Sequence, residues 1–185
     1  MADIKGFAIR GLLKFIKDSN YPGGIPAIIS KLPAEDRAVF ATPINASLWY
    51  AYHVFAHLLC AVDKTIGKGD KSLARRVGGV SAERDVQGVF RIIAAITSFQ
   101  RLLPKATLFW PRYFSSGKLE VLDITDRSAR LVIRNFPEID PTHCALMEGW
   151  FEKIGQIFGA KDMRVRHTAC VHRGHAVCEF TATFS

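Results

Sequence analysis

No stretch of this 185-residue chain approaches the roughly twenty consecutive apolar residues that span a bilayer, although apolar residues make up 49% of it. A membrane-spanning helix is therefore not expected. The opening MADIKGFAIRGLLKFIKDSN also lacks the unbroken core and small-residue cleavage site of a secretory signal, because Gly6, Arg10, Lys14 and Lys17 interrupt its apolar residues; the expected location is the cytoplasm. There is no Walker-type phosphate loop, no Gly-x-Gly-x-x-Gly, no His-Glu-x-x-His and no Gly-x-Ser-x-Gly. Gly78-Gly79 lacks their context, and no pair of side chains is spaced as a catalytic dyad, so the chain is not expected to be an enzyme. Internal repeats and low-complexity tracts are absent too. Cysteine is scarce, with four residues, and a reducing compartment favours thiols or metal thiolates over structural disulfides.

What is present is enough for one domain spanning 1–185, able to bury roughly 70% of its unfolded surface without help from a metal. Residues 1–117 carry 16 Lys and Arg against 8 Asp and Glu, while residues 118–185 carry nine of each. All the excess positive charge is therefore N-terminal. It is scattered through helical stretches and forms no run, which reads as a solvated helical surface; nucleic acid is not expected as a partner.

Periodicity divides the chain near Gly117. Before it, Ile4, Phe7, Ala8, Leu12 and Phe15 follow helical spacing up to a turn at Tyr21-Pro22-Gly23-Gly24, and a short helix is expected over Ile25–Leu32. Thr42-Pro43-Ile44-Asn45 then offers capping chemistry for a buried helix over Ala46–Ile66, and Ser81 for another running from Val86 to Leu103. From Lys118 the period becomes two, giving a hairpin with its turn at Asp123–Ser128, a helix from about Pro141 to Phe158 capped by Asp140, and strands over Met163–Ala169 and Ala176–Phe184. The order ββαββ after a helical half predicts an α+β fold in which helices 1–117 pack on a four-stranded antiparallel sheet from 118–185.

Three of the four cysteines and one histidine fall in that second part as Cys144-x22-His167-x2-Cys170-x7-Cys178. Four such soft donors satisfy a closed tetrahedral zinc site, with no position left for water or substrate, so the role would be structural. Strand parity puts Cys178, Phe180, Ala182 and Phe184 on one face, whereas His167 and Cys170 share a face only if the strand ends or bulges between them. The same spacing also admits buried apolar thiols or a Cys170–Cys178 disulfide.

The segment from His143-Cys144 through Gly149-Trp150 to Cys170-x3-Gly174-x3-Cys178-x-Phe180 resembles the 4-vinyl reductase domain family, with His167 where that family commonly has Glu. The resemblance covers roughly residues 118–184. It implies a fold shared with haem nitric-oxide-binding domains and with subunits of the TRAPP trafficking complex. It also implies a structural zinc on Cys144, His167, Cys170 and Cys178 beside a pocket for a hydrophobic small molecule.

A second constellation, His53, His57 and Cys60, shares a helical stripe with Tyr50. It reads first as a face of partly buried imidazoles. Haem is not expected, because no Tyr-x-Ser-x-Arg signature of the haem domains is found. Trp49, Tyr50, Phe55, Phe90, Phe99, Phe109, Trp110 and Phe114 are enough aromatics to line a cavity, and Trp49, His53 and His57 are its expected contact residues. The function expected is thus a zinc-stapled sensor or regulatory domain for a hydrophobic ligand, homodimeric and signalling through a partner protein. A non-catalytic dimeric scaffold like the TRAPP subunits, and an accessory protein or enzyme of tetrapyrrole metabolism, are the alternatives.

Overall fold

The computed structural model describes residues 2–86, 99–136 and 138–185. It opens on a short strand, Asp3–Lys5 (β1), before the first helix, Gly6–Asp18 (α1). That helix closes at the expected turn, where Gly23 and Gly24 take φ values of 77° and 55° that favour glycine. Gly24–Ile29 (α2) follows, and then Ala34–Val39 (α3), a helix the spacing did not announce. The helix expected from Ala46 starts later. Trp49–Ala51 forms a strand (β2) antiparallel to β1, and the helix itself is Tyr52–Thr65 (α4). Backbone pairing with the distant N-terminus, including Gly6 N–H to the Leu48 carbonyl, overrides local helix propensity there.

Ser72–Asp85 (α5) contains Ser81 in its interior, so Ser81 caps nothing. Gly78 and Gly149 serve a close helix contact. A Cβ on Gly78 would run into the Leu146 carbonyl oxygen, and one on Gly149 into that of Arg75. Most of the helix expected over Val86–Leu103 falls on residues 87–98, outside those described. Phe99–Leu102 (α6), a 3-10 turn at Leu103–Leu108 and Trp110–Tyr113 (α7) complete the helical half.

Lys118–Leu122 (β3) and Ser128–Arg134 (β4) form the expected hairpin, and Pro141–Ile157 (α8) follows, its N-cap Asp140 accepting from the Thr142 N–H at 2.6 Å. Arg164–Ala169 (β5) and Cys178–Thr183 (β6) close an antiparallel sheet of order β3-β4-β6-β5. The fold is α+β, with α8 clamped between α5 and the sheet: Phe151 meets Phe180 edge-on at 5.3 Å, and Arg75 of α5 pairs with Glu152 at 2.8 Å. Glu152 and Glu148, which spacing alone leaves as surface residues, also accept the backbone N–H groups of Val165 and His167 and so tie α8 to β5. Among the described residues no helix is long and apolar enough to cross a membrane.

Candidate functional site

Two features stand out around α8, one packed shut and one open. The first is the cysteine cluster. Cys144 is in the first turn of α8, Cys178 opens β6 on the core face with Phe180 and Ala182, and His167 and Cys170 flank the end of β5. A register shift between His167 and Ala169, in pairing with Phe180 and Glu179, turns the intervening residue aside and brings His167 and Cys170 to the same spot. The four donor atoms lie within 4.8 Å of one another. Cys144 Sγ is 3.8 Å and Cys170 Sγ 4.0 Å from Cys178 Sγ. Bonds near 2.3 Å with tetrahedral angles set sulfur-to-sulfur edges of about 3.8 Å, so these spacings are those of a coordination shell. The cysteines are free thiols, not disulfides.

The local chemistry agrees with a metal. The His167 ring stacks on Phe180 at 4.7 Å, and its Nε2 is buried without a hydrogen-bond partner. Cys178 is held below the usual thiol range, first by the Cys144 thiol directed at it and then, against the effect of burial, by the neighbouring His167 imidazole. Cys144 is correspondingly pushed up, by Cys178 and by burial. One thiolate thus forms readily among three sulfurs, and a divalent cation would supply the charge that lets the others ionise.

The second feature is a pair of adjoining apolar cavities of about 280 and 220 Å³ between the helical half and the sheet. Both are lined by Phe7, Phe109, Tyr113, Trp150 and Phe151, and both reach Asp85 at the end of α5. Taken together they fall in the size range of small-molecule sites. Ser81, Arg84, Arg112, Asp85 and His143 interrupt the apolar walls, and the last two are the ones enclosed with the aromatic side chains. The Asp85 carboxylate accepts from the Tyr113 hydroxyl at 2.6 Å and from Trp150 Nε1 at 2.8 Å, and burial raises its pKa above the usual carboxylate range.

The other enclosed group, His143, lines the larger cavity and is 1% exposed. Burial pushes it down to about 4, so it is neutral at pH 7. Its Nδ1 is 2.7 Å from the Tyr52 hydroxyl, which itself accepts the Asp140 N–H at 3.0 Å. Burial pushes the Tyr52 pKa well up, so the hydroxyl keeps its proton and donates to Nδ1. Nε2 is left without a hydrogen bond among the described residues.

The residues expected to contact a ligand lie elsewhere. Trp49 is 42% exposed under the Lys5 ammonium, which sits 4.1 Å from its ring centroid, and His53 and His57 pair with Asp36 on α3. Cys60, on the same stripe, contacts Thr142 and Asp140. Of the expected aromatics, Phe55, Phe99, Phe109, Trp110 and Phe114 do line the cavities, while Phe90 lies outside the described residues. Asp85 and His143 carry no sequence signal of their own.

No family model matches the sequence, and no curated protein matches it. Solved structures do. An H-NOX protein from S. oneidensis, in an Fe(II)NO ligation state, is similar over 98% of this chain and 99% of its own, with 13% identity and a TM-score of 0.73. The unliganded Fe(II) H-NOX protein from K. algicida is similar over 98% of this chain and 96% of its own, with 11% identity and a TM-score of 0.66. The chain has the H-NOX fold. This overturns the resemblance to the 4-vinyl reductase domain as a family assignment, since the neighbours are H-NOX domains, although the wider fold relationship it implied holds. It also overturns the expectation against haem, because these neighbours are iron-ligating proteins and another belongs to a study of haem distortion in the H-NOX family.

The donor set of the cavity is compatible with haem. A neutral imidazole faces an aromatic-walled space, and in the tautomer that frees Nε2 to be a ligand Nδ1–H donates a hydrogen bond to the Tyr52 oxygen instead of accepting one from it.

Proposed function

We propose that the chain is a sensor module that binds a small molecule in the cavity beneath α8, with a zinc ion stapling the helix root to the closing hairpin. The observation that carries this reading is an apolar cavity that reaches His143, whose Nε2 has no hydrogen bond among the described residues, and the buried Asp85 carboxylate, in a molecule otherwise packed around a continuous core. The H-NOX fold supports it, since the neighbours are ligand-binding domains. Haem, when bound, supplies an iron that takes a diatomic gas. His143 would hold it, Phe7, Phe114 and Trp150 would flank it, and these residues keep the space free of water. In the same way they would enclose an organic ligand, with His143 meeting its one polar atom.

The scaffold alternative has less support, because the large exposed apolar side chains among the described residues, Leu48, Trp49, Leu108 and Ile124, stand on three separate segments.

The test is to titrate the purified protein with hemin and follow the absorption spectrum, while native mass spectrometry looks for a copurifying organic molecule. A saturable complex of about one hemin per chain that His143→Ala weakens at least roughly tenfold, or a stoichiometric organic ligand, is expected. Absence of both would overturn the reading.

A further inference from the structure

Asp36, His53 and His57 form a group that neither the cavity nor the cysteine cluster uses. The Asp36 side chain is 0% exposed, yet its surroundings supply little to hold a charge. Oδ2 accepts from His57 Nδ1 at 2.6 Å, while Oδ1 is buried with no hydrogen bond and stands 3.3 Å from His53 Nε2. A carboxylate shut off from water requires either a full set of donors or a positive charge beside it. The two imidazoles come from successive turns of α4, with ring centroids 5.8 Å apart, and are 44% and 45% exposed on their outer edges. The buried carboxylate thus faces one nitrogen from each of two partly exposed imidazoles.

We propose that Asp36, His53 and His57 constitute a second metal site, for a divalent ion of the nickel, copper and zinc group, with its remaining coordination positions open to water. Two imidazoles one helical turn apart with one carboxylate are the nitrogen and oxygen set those ions take. A separation of 3.3 Å is the edge between two ligands each about 2.1 Å from one ion. The shorter His57–Asp36 contact is a hydrogen bond, so an ion displaces that proton and the two side chains part by several tenths of an ångström to admit it. A neutral His57 moves the proton to its solvent-side Nε2, and an imidazolium releases it to water. The site differs from the cysteine cluster in every respect that governs metal choice: it has no sulfur, it is accessible, and it leaves positions open.

The test is titration of the full chain with Ni²⁺, followed by calorimetry and by proton NMR of the histidine rings. Wild type and Cys178→Ser are expected to bind one Ni²⁺ alike, with broadening of the His53 and His57 resonances. His53→Ala, which removes no hydrogen bond, and His57→Ala should each weaken binding at least roughly tenfold. Wild type that takes up no Ni²⁺ would overturn the proposal. So would binding that survives intact in the His53→Ala, His57→Ala double variant, or that disappears with Cys178→Ser.

Discussion

His143 and Cys144 are consecutive residues in the first turn of α8, and their surroundings are opposites. The Cys144 sulfur lies 3.8 Å from that of Cys178 and within 4.8 Å of every other donor of the cluster, whereas His143 borders a cavity and has one ring nitrogen without a hydrogen bond among the described residues. On the proposed reading the cluster takes a small ion at its centre and the cavity takes a bulkier ligand. What separates them is the direction each side chain leaves the helix: Cys144 toward β6, His143 toward Tyr52 of α4 and Phe114 beyond α7. Stability should therefore depend chiefly on what fills the cluster, and ligand affinity on what lines the cavity.

The largest expected effect sharpens that division. Protein purified without added metal should carry about one zinc per chain, and Cys178→Ser should carry none. Losing the ion should lower the melting temperature by roughly 10 °C or more, because a bound structural zinc contributes folding energy directly and each kcal/mol is worth about 2–4 °C in a domain of this size. The fall should be smaller than in a zinc finger, since this fold has a core of its own. Metal content by mass spectrometry and a thermal melt check it, and an unchanged melt in metal-free protein would leave the cluster without a structural role.

Filling the cavity should have the reverse profile. Ala8 of α1 borders the larger cavity, and Ala8→Leu should stabilise the chain by about 0.5–2 kcal/mol in urea while weakening hemin or any copurifying ligand at least roughly tenfold. A fall in the urea midpoint would mean that the space is already occupied by the protein's own side chains. The smallest effect concerns Asp85. Its carboxyl pKa is raised by burial, partly offset by the Tyr113 and Trp150 hydrogen bonds, so the folded state favours the protonated form. That stabilisation is complete below the unfolded value near 4 and is lost as pH rises through the higher folded value. The melting temperature of Asp85→Asn, relative to wild type, should therefore climb between about pH 4 and pH 7. A constant difference across that range would show that Asp85 keeps an ordinary pKa.

The sheet half was legible because a period of two, a capping Asp140 and strand parity are local signals; parity required the strand to end or bulge between His167 and Cys170, and only the register of β5 against β6 decides for the bulge. The helical half was less so. Trp49–Ala51 is a strand only because residues 3–5 lie beside it, and nothing local to Gly78 shows that the Leu146 carbonyl packs against it. His53 and His57 could be placed on one stripe but not assigned a partner, because Asp36 lies on a six-residue helix with no periodicity to announce it. The cavity was foreseen in its aromatics and missed in its polar groups: Asp85 and His143 become members only when α5, α7 and α8 converge.

The backbone-to-backbone seating of Gly78 and Gly149 leaves α5 and α8 no slack between them. Asp85 ends the first of these helices and His143 begins the second, so the two polar groups enclosed by the cavity's greasy wall are carried on what amounts to one rigid bar. Because Gly78 meets Leu146 and Arg75 meets Gly149, the two helices run antiparallel, and a ligand that meets both Asp85 and His143 would bear on one and the same end of that bar.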